Sequence, residues 1–456
     1  GDELLELLAG YAGEDTYWET KLYYKYMPLL DEHAKRLLFE VEMPMINILR
    51  DAKIRGVLIN KDLLLDFDKH VDSALSECLD SIYEECGCVF NLNSAPQKQK
   101  VFFDQMKLPV IKTTKKGGRS TDAGTYEEWA NMGYSVGETL LDYSELQKLI
   151  TGYIRAIPPQ LDSHNVLRGD LNSAGTKTGR MSSSGPNLQN MPNNHNFPVR
   201  AAFIPRPGYV FVNYDYSQLE LRVMAHVSHD KHFMDIFLHG GDPHGDVAKR
   251  CGITRKQAKV MNFGVLYGMG VGKYVNTFKV SKERARQMID DYHKVYSGFA
   301  KWKESTETFA KRNGYVRTIF GRIRQLPEAS KDPFHRDDAA YFGALRQAVN
   351  TVIQGSGADI VKKATIAMCR KFKERNLDAH FLLQVHDEVL IEARIDQMFE
   401  VERIVIDCME NTVKLDVPLL ADGKILANWG EMKDDDVVSL PYRFDYSIYS
   451  SLFNIA

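Results

Sequence analysis

Cysteine is scarce. Six in 456 residues cannot build a disulfide framework. Cys78, Cys86 and Cys88 cluster, while Cys251, Cys369 and Cys408 are scattered. Cys86-Gly-Cys88 has no second ligand pair at zinc-site spacing, so reduced thiols in a cytosol-like compartment are expected. Long apolar runs are missing as well. No stretch reaches the ~18 uninterrupted apolar residues that a bilayer-spanning helix needs. The N-terminus, GDELLELLAG, is acidic and has no basic n-region, so it is not expected to be a secretory signal. It also has no initiator Met, so a fragment or processed product is expected, with a true start upstream. No internal repeats are evident. No compositional extreme appears either: 44% hydrophobic and 26% charged residues describe an ordinary globular chain of roughly three units at ~150 residues each.

A net charge of −3 hides its distribution. Residues 1–20 carry −6 and residues 431–456 carry −3, leaving +6 on the stretch between them. A mildly basic body with acidic ends is compatible with a polyanionic partner, although solvated faces give the same balance. Apolar spacing predicts helices through residues 1–50, with Pro44 early in one of them. NLNSAP (91–96) reads as a loop entering a helix, with Ser94 as candidate N-cap. KTTKKGGRST (112–121) is the most basic loop-like segment, either a solvated loop or one that grips a phosphate backbone. Residues 172–198 have linker composition but sit before the most strand-like run, so an ordered loop is the alternative. GYVFVNYDYSQLELRVMAHVS (208–228) starts as a strand and turns helical near Gln218. Residues 231–312 read as mainly helical, 315–327 as a turn or short hairpin, and 337–376 as a long helical region broken at Gly355-Ser356-Gly357. HFLLQVHDEVLIEAR (380–394) reads as a hairpin, and a helix is expected at 396–413.

Two features carry chemistry. Asp215 ends an apolar strand, and Asp387 and Glu388 occupy the tip of an apolar hairpin. Acids placed there against the burial pattern are costly unless solvated or bound to a cation. If the two strands join one sheet, their carboxylates could hold two Mg²⁺ ions, which suits phosphoryl transfer; a plain turn acid is the alternative. The second feature is a stripe. Arg255, Lys259, Phe263 and Tyr267 recur every four residues, which places them on one helix face with ~40° of drift per step. Two cations followed by two rings suit a triphosphate and a base. Core aromatics with snorkelling cations would give the same pattern.

Taken together, these segments resemble family A DNA polymerases. DYSQLELR (215–222) resembles the family's motif A, RKQAKVMNFGVLYG (255–268) its motif B, and QVHDE (384–388) its motif C. TGRMSSSGPNLQNMP (178–192), GYVRTIFGRIRQLPE (314–328) and RQAVNTVIQGSGAD (346–359) match further blocks in the expected order. The resemblance covers roughly residues 30–433. It implies an α+β fold shaped as a right hand, with a palm of antiparallel sheet plus helices, helical fingers and a helical thumb. The implied domains are an exonuclease remnant at 1–29, thumb and supporting helices at 30–171, palm at 172–230 and 314–433, fingers at 231–313, and a C-terminal tail at 434–456.

The resemblance also implies roles. Asp215 and Asp387 would bind the two Mg²⁺ ions with the Tyr216 carbonyl, and Glu388 would take a lesser part. Lys259 would also be catalytic, donating a proton to the departing pyrophosphate. Arg255, Lys259 and His244 would meet the incoming phosphates, Phe263 the sugar and Tyr267 the templating base. Glu220 would exclude a ribose 2′-OH, and Gln218 would join the nucleotide site. Arg180, Asn187, Gln189, Arg346, Asn350, Gln354 and His386 would follow the primer–template DNA. The implied activity is DNA-directed synthesis from dNTPs, in a monomer without membrane contact, in a cytoplasm or organellar matrix. Two other readings are kept: a single-subunit RNA polymerase relative, and a non-catalytic primer–template binding module. Tyr11-Ala-Gly-Glu-Asp15 resembles the last exonuclease motif, but the earlier motifs are absent, so no proofreading is expected from this chain. Gly185 stands where the family usually has an acid. The tail, with its aromatic PYRFDYSIYSSLF, would either recruit a replication partner or pack back on the body.

Overall fold

The computed structural model describes residues 2–114, 117–191, 197–332 and 337–430. The tail assigned to residues 434–456 lies outside them. The chain forms two compact units. Among the described residues, the larger falls within 2–54, 171–182 and 212–425, and the smaller within 55–170, 183–211 and 426–430.

The larger unit is built on a four-stranded sheet. Its strands are β1 (Tyr209–Tyr216), β2 (Ala379–Val385), β3 (Glu388–Arg394) and β4 (Ala421–Leu426), in the order β4-β1-β3-β2. β-Branched and aromatic residues dominate β1, which suits a pleated, buried surface. β2 and β3 form the expected hairpin, with Glu388 opposite Val385 and Leu390 opposite Leu383. Their centres, Leu382, Leu383, Leu390 and Ile391, are buried. After β1 the chain turns through Gln218, whose φ of 55° is left-handed, and enters helix α1 (Leu219–Ser228). Helices α2 (Pro243–Cys251) and α3 (Arg255–Leu266) follow, and the short hairpin Tyr315–Arg317 with Ile323–Gln325 forms where the sequence suggested it.

The long helix α4 (Asp338–Glu374) corrects one expectation: it runs unbroken through Gly355-Ser356-Gly357. Glycine usually weakens a helix by about 1 kcal/mol, but here it allows close approach. A Cβ on Gly355 would lie 2.6 Å from Thr318 Cγ2 and 2.8 Å from the Thr178 carbonyl. The Ser356 hydroxyl donates to the Val352 carbonyl one turn back in the same helix at 2.5 Å and accepts from the Ile319 N–H at 3.1 Å. Packing and buried polar contacts therefore hold the helix where composition alone suggested a break.

The same unit holds a cluster of four charges, with Lys362 and Asp359 buried and Glu42 and Arg322 half-buried. Lys362 is 0% exposed, and its ammonium donates to Glu42 Oε1 and to the Ser173 carbonyl, each at 2.8 Å. Arg322 donates to Glu42 at 2.5 Å and to Asp359 at 2.6 and 2.9 Å. Thr318 and Ser173 donate to the remaining carboxylate oxygens of Asp359 and Glu42. Two acids and two bases cancel, and every charge has a partner, which is the condition for burying such groups. Glu42 closes a π-turn (Leu38–Glu42) inserted in the N-terminal helices.

In the smaller unit, Val57–Ile59 pairs antiparallel with Val166–Leu167 and with Phe203–Ile204. An aromatic core of Phe90, Phe102, Phe103, Tyr126 and Trp129 packs below the Lys61–Cys86 and Ser135–Leu149 helices. Ser94 does precede the Ala95–Gln99 helix, but its side chain makes no capping bond. The turn is held instead by the Gln97 side chain, which accepts from the Asn91 N–H at 2.7 Å. The basic segment 112–121 is tied to local acids: Arg119 forks onto Asp104, and Lys112 pairs with Asp122 at 2.8 Å. The linker-like stretch contains the strand Ser182–Ser184 and a 3₁₀ turn at Leu188–Asn190. All six cysteines are free thiols.

Candidate active site

The sheet brings the two aspartates to one edge. Asp215 lies one residue before the end of β1, Asp387 sits in the β2–β3 turn, and β1 neighbours β3. The Tyr216 N–H donates to the Asp387 carbonyl at 3.3 Å, so the two segments meet through their backbones. Asp215 keeps access to solvent, yet the protein packed around it comes first in pushing its carboxyl up to about 7; the charges of Asp387, Glu388 and Asp422 add to that. Burial likewise pushes Asp387 up to about 6, against the opposing pull of Arg180 and with the help of Glu220. This edge is short of positive charge.

Glu220, in the first turn of α1, is 6% exposed. Arg180 donates to one carboxylate oxygen at 2.5 Å, and the Tyr267 hydroxyl donates to the other. Burial, then Glu220, raises the Tyr267 phenol well above its usual range, so it stays a donor at neutral pH; Gln354 meets the same hydroxyl. Gly268 follows with φ at +63°, and a Cβ there would strike the Arg346 side chain at 2.6 Å. Arg346 is exposed, and the half-buried Asn350 keeps a buried Oδ1 without a hydrogen-bond partner. Gln218 has the same feature at its Oε1. His386 takes φ of 56° at the hairpin tip, and its carbonyl accepts from the Gln384 amide at 2.8 Å.

The helix α3 carries the stripe. Thr254 and Gln257 form a reciprocal capping box at its start, and Tyr267 is the residue that ends it. Phe263 and Tyr267 stack with centroids 6.1 Å apart at 15°, and the His244 ring lies 6.0 Å from Phe263. Lys259 is exposed on the helix. Arg255 is engaged: its Nε donates to Asp242 Oδ2 at 2.6 Å. Asp242 also caps α2 by accepting from the His244 N–H at 3.1 Å. The buried Asn262 takes the Tyr292 hydroxyl on Oδ1 at 3.0 Å, which turns its amide nitrogen toward His244 Nδ1 at 2.9 Å. Burial, with Arg255 and Lys259 nearby, lowers the His244 pKa. A neutral imidazole accepting at Nδ1 leaves Nε2–H free to donate.

One chain of contacts therefore runs from His244 through Phe263 and Tyr267 to Glu220 and Arg180. The residue-based reading of the sequence missed Asp242, Asn262, Tyr292 and Asp422; the Asp242-Pro243-His244 run, an N-cap followed by proline, was the available signal. Asn187 and Gln189 lie in the smaller unit, where the Asn187 side chain caps the 3₁₀ turn by accepting from the Gln189 N–H at 3.1 Å.

The family model for DNA polymerase family A matches residues 61–431. This chain belongs to that family. DNA polymerase I of Caldicellulosiruptor bescii is 35% identical over 429 residues, covering 91% of this chain and 49% of the relative. DNA polymerase I of Bacillus subtilis is 34% identical over 443 residues, covering 94% and 50%. The chain thus spans about half the length of the curated relatives it matches. The solved POL domain of Pol1 from M. smegmatis, in complex with DNA primer-template and dNTP, matches with a TM-score of 0.83 and 30% identity. That match covers 87% of this chain and 71% of the solved one. The α+β fold expected from the motifs is the fold observed.

Family A DNA polymerases use divalent metal ions. The residues here fit such an ion, because two hard carboxylates sit at one sheet edge with raised proton affinity, a deficit that a dication would relieve. Among the described residues, no three His, Cys, Asp or Glu side chains form a preformed cage. No helix among them is long and apolar enough to cross a membrane.

Proposed function

We propose that this chain is a template-directed DNA polymerase that extends a primer 3′-OH with dNTPs and releases pyrophosphate. The observation that carries this reading is the pair of acids, Asp215 and Asp387, meeting at one sheet edge. Asp215 and Asp387, with the Tyr216 carbonyl, would hold two Mg²⁺ ions. When bound, such ions would supply Lewis-acid charge stabilisation for phosphoryl transfer. Phosphoryl transfer asks mainly for positioning and charge neutralisation, and the chain supplies both. Arg255, Lys259 and the His244 Nε2–H would bind the triphosphate. Lys259 would protonate the departing pyrophosphate. Phe263 would pack against the sugar and Tyr267 near the templating base, with Gln218 nearby.

Glu220, held at both oxygens, would stand where a ribose 2′-OH needs room. Arg180, Arg346, Asn350, Gln354 and His386, with Asn187 and Gln189, would follow the primer–template minor groove. Contacts there sense pair shape without reading sequence. The right-hand division belongs to the same proposal, with thumb at 30–171, palm at 172–230 and 314–433, and fingers at 231–313. So does the expectation of a monomer, with primer–template DNA and dNTPs as partners.

The test is single-nucleotide primer extension with and without Mg²⁺. Asp215→Asn and Asp387→Asn should each abolish extension while leaving DNA binding measurable, and EDTA should do the same to the wild type. Extension that survives either substitution would sink the proposal. Equal use of rNTPs and dNTPs would favour an RNA polymerase, and tight DNA binding without extension would favour a binding module.

A further inference from the structure

The buried charge cluster has a consequence beyond stability. Lys362 grips the Ser173 carbonyl at 2.8 Å, and the Ser173 hydroxyl donates to Glu42. Six residues on, Gly179 takes φ of +89° and lies against Arg322, so close that a Cβ there would be 2.7 Å from Arg322 Cδ and Nε. Between these two anchors Thr176 Oγ1 donates to the Arg180 carbonyl at 2.8 Å. The segment from Ser173 to Gly179 is therefore held at both ends by the cluster. The next side chain, Arg180, is the one that fixes Glu220 at 2.5 Å.

We propose that Lys362 and Arg322 are positioning residues: through the 173–180 segment they hold Arg180 on Glu220, and so set how strongly the site rejects a ribose. The proposal rests on the polymerase reading above. Neither residue touches the Glu220 carboxylate in the structure; Arg322 reaches Glu42 and Asp359, and Lys362 reaches Glu42 and Ser173. Their influence has to pass along the backbone. Glu220 has two anchors, Arg180 and Tyr267. Loosening the first leaves the carboxylate held by the second alone, so that it no longer firmly blocks the space a 2′-OH would fill.

The cluster can be disturbed without stranding a charge. Lys362→Met alone leaves two acids facing one base in the interior. The double variant Glu42→Gln/Lys362→Met removes one charge of each sign and keeps the Arg322–Asp359 pair. Gly179→Ala reaches the same segment differently, pushing on Arg322 with all four charges in place. An exposed pair between the same long helix and the Met398–Asn411 helix, Lys371 with Asp407 at 2.5 Å, serves as control in the form Lys371→Met/Asp407→Asn.

Two readouts decide the matter. Hydrogen–deuterium exchange of residues 173–181 should quicken in the double variant and in Gly179→Ala, and stay unchanged in the control. The kcat/KM ratio for dNTP over rNTP should fall about tenfold in the same two variants, the scale of one charge-assisted hydrogen bond. A loss of folded protein lowers both rates together and leaves that ratio alone. An unchanged ratio or unchanged exchange in a folded variant overturns the proposal. Wild-type protein that extends no primer defeats the polymerase reading instead, and the exchange data still decide whether the cluster holds the segment.

Discussion

Asp230 is 2% exposed and meets four backbone N–H groups. Its Oδ1 accepts from His232 at 3.1 Å and Phe233 at 3.3 Å, capping the Lys231–Leu238 helix. Its Oδ2 accepts from Gly298 at 2.8 Å and Phe299 at 3.2 Å, at the start of the Ser297–Asn313 helix. One carboxylate thus fastens two helix N-termini, whose partial positive charge it also complements. Asp230→Ala removes a cap worth about 1–2 kcal/mol. It also leaves the Gly298 and Phe299 N–H groups without that acceptor, at about 1–3 kcal/mol each before relaxation. Shared relaxation keeps the total below the sum, so about 3–5 kcal/mol is expected. At ~2–4 °C per kcal/mol, Tm should fall by about 10 °C. Asp230→Asn keeps one carbonyl oxygen but turns an amide toward the other helix, and should cost about half as much. Urea titration with circular dichroism measures both variants. An Ala variant within about 1 kcal/mol of wild type would refute the reasoning, and an Asn variant as weak as Ala would show that both oxygens are needed at once.

Asp242→Asn should lower KM for dNTP in steady-state extension, because it releases Arg255 while an amide oxygen can still cap the His244 N–H; a raised KM would mean that the pair pre-orients Arg255. Glu220→Ala should raise rNTP incorporation and free the Tyr267 hydroxyl, checked by competing rNTP against dNTP in one assay. In the smaller unit, a hydrogen bond from Arg168, with backbone N–H groups of Val166 and His164, lowers the Asp162 carboxyl to about 2. A lowered carboxyl contributes stability above its ordinary value of about 4 and loses it as pH falls toward 2. Asp162→Asn should therefore be less stable than wild type at pH 6, and the two urea midpoints should converge near pH 2. Curves that stay parallel through that range would exclude Asp162 as the titrating group.

Much of the fold was legible because its signals are local. The β1 run, the turn at Gln218 and the Phe381–Ala393 hairpin each declare themselves over a few residues of alternating or apolar pattern. The helical stripe of Arg255, Lys259, Phe263 and Tyr267 needs only a period of 3.6. The misreading at Gly355-Ser356-Gly357 has the opposite origin. Composition marks glycines as breakers, while the structure uses the absent side chain to seat α4 against Thr178 and Thr318, residues 177 and 37 positions away in the chain. No window along the sequence contains that information.

The site divides along the same line. Asp215 and Asp387 were legible as acids out of place in apolar strands, since burying a carboxylate is expensive and demands a reason. Glu42, Arg322, Asp359 and Lys362 are equally out of place, yet none stood out. Lys362 and Asp359 lie within a long helix rich in other polar residues, where a charge normally faces water. Glu42 is 320 residues from the lysine it pairs with. An acid stands out in a strand because alternation fixes which face it must take; in a helix of 37 residues the burial of a lysine depends on what arrives from elsewhere. The acids proposed to meet the reacting groups announce themselves in the sequence, and the charges proposed to position the site do so only once the chain has folded.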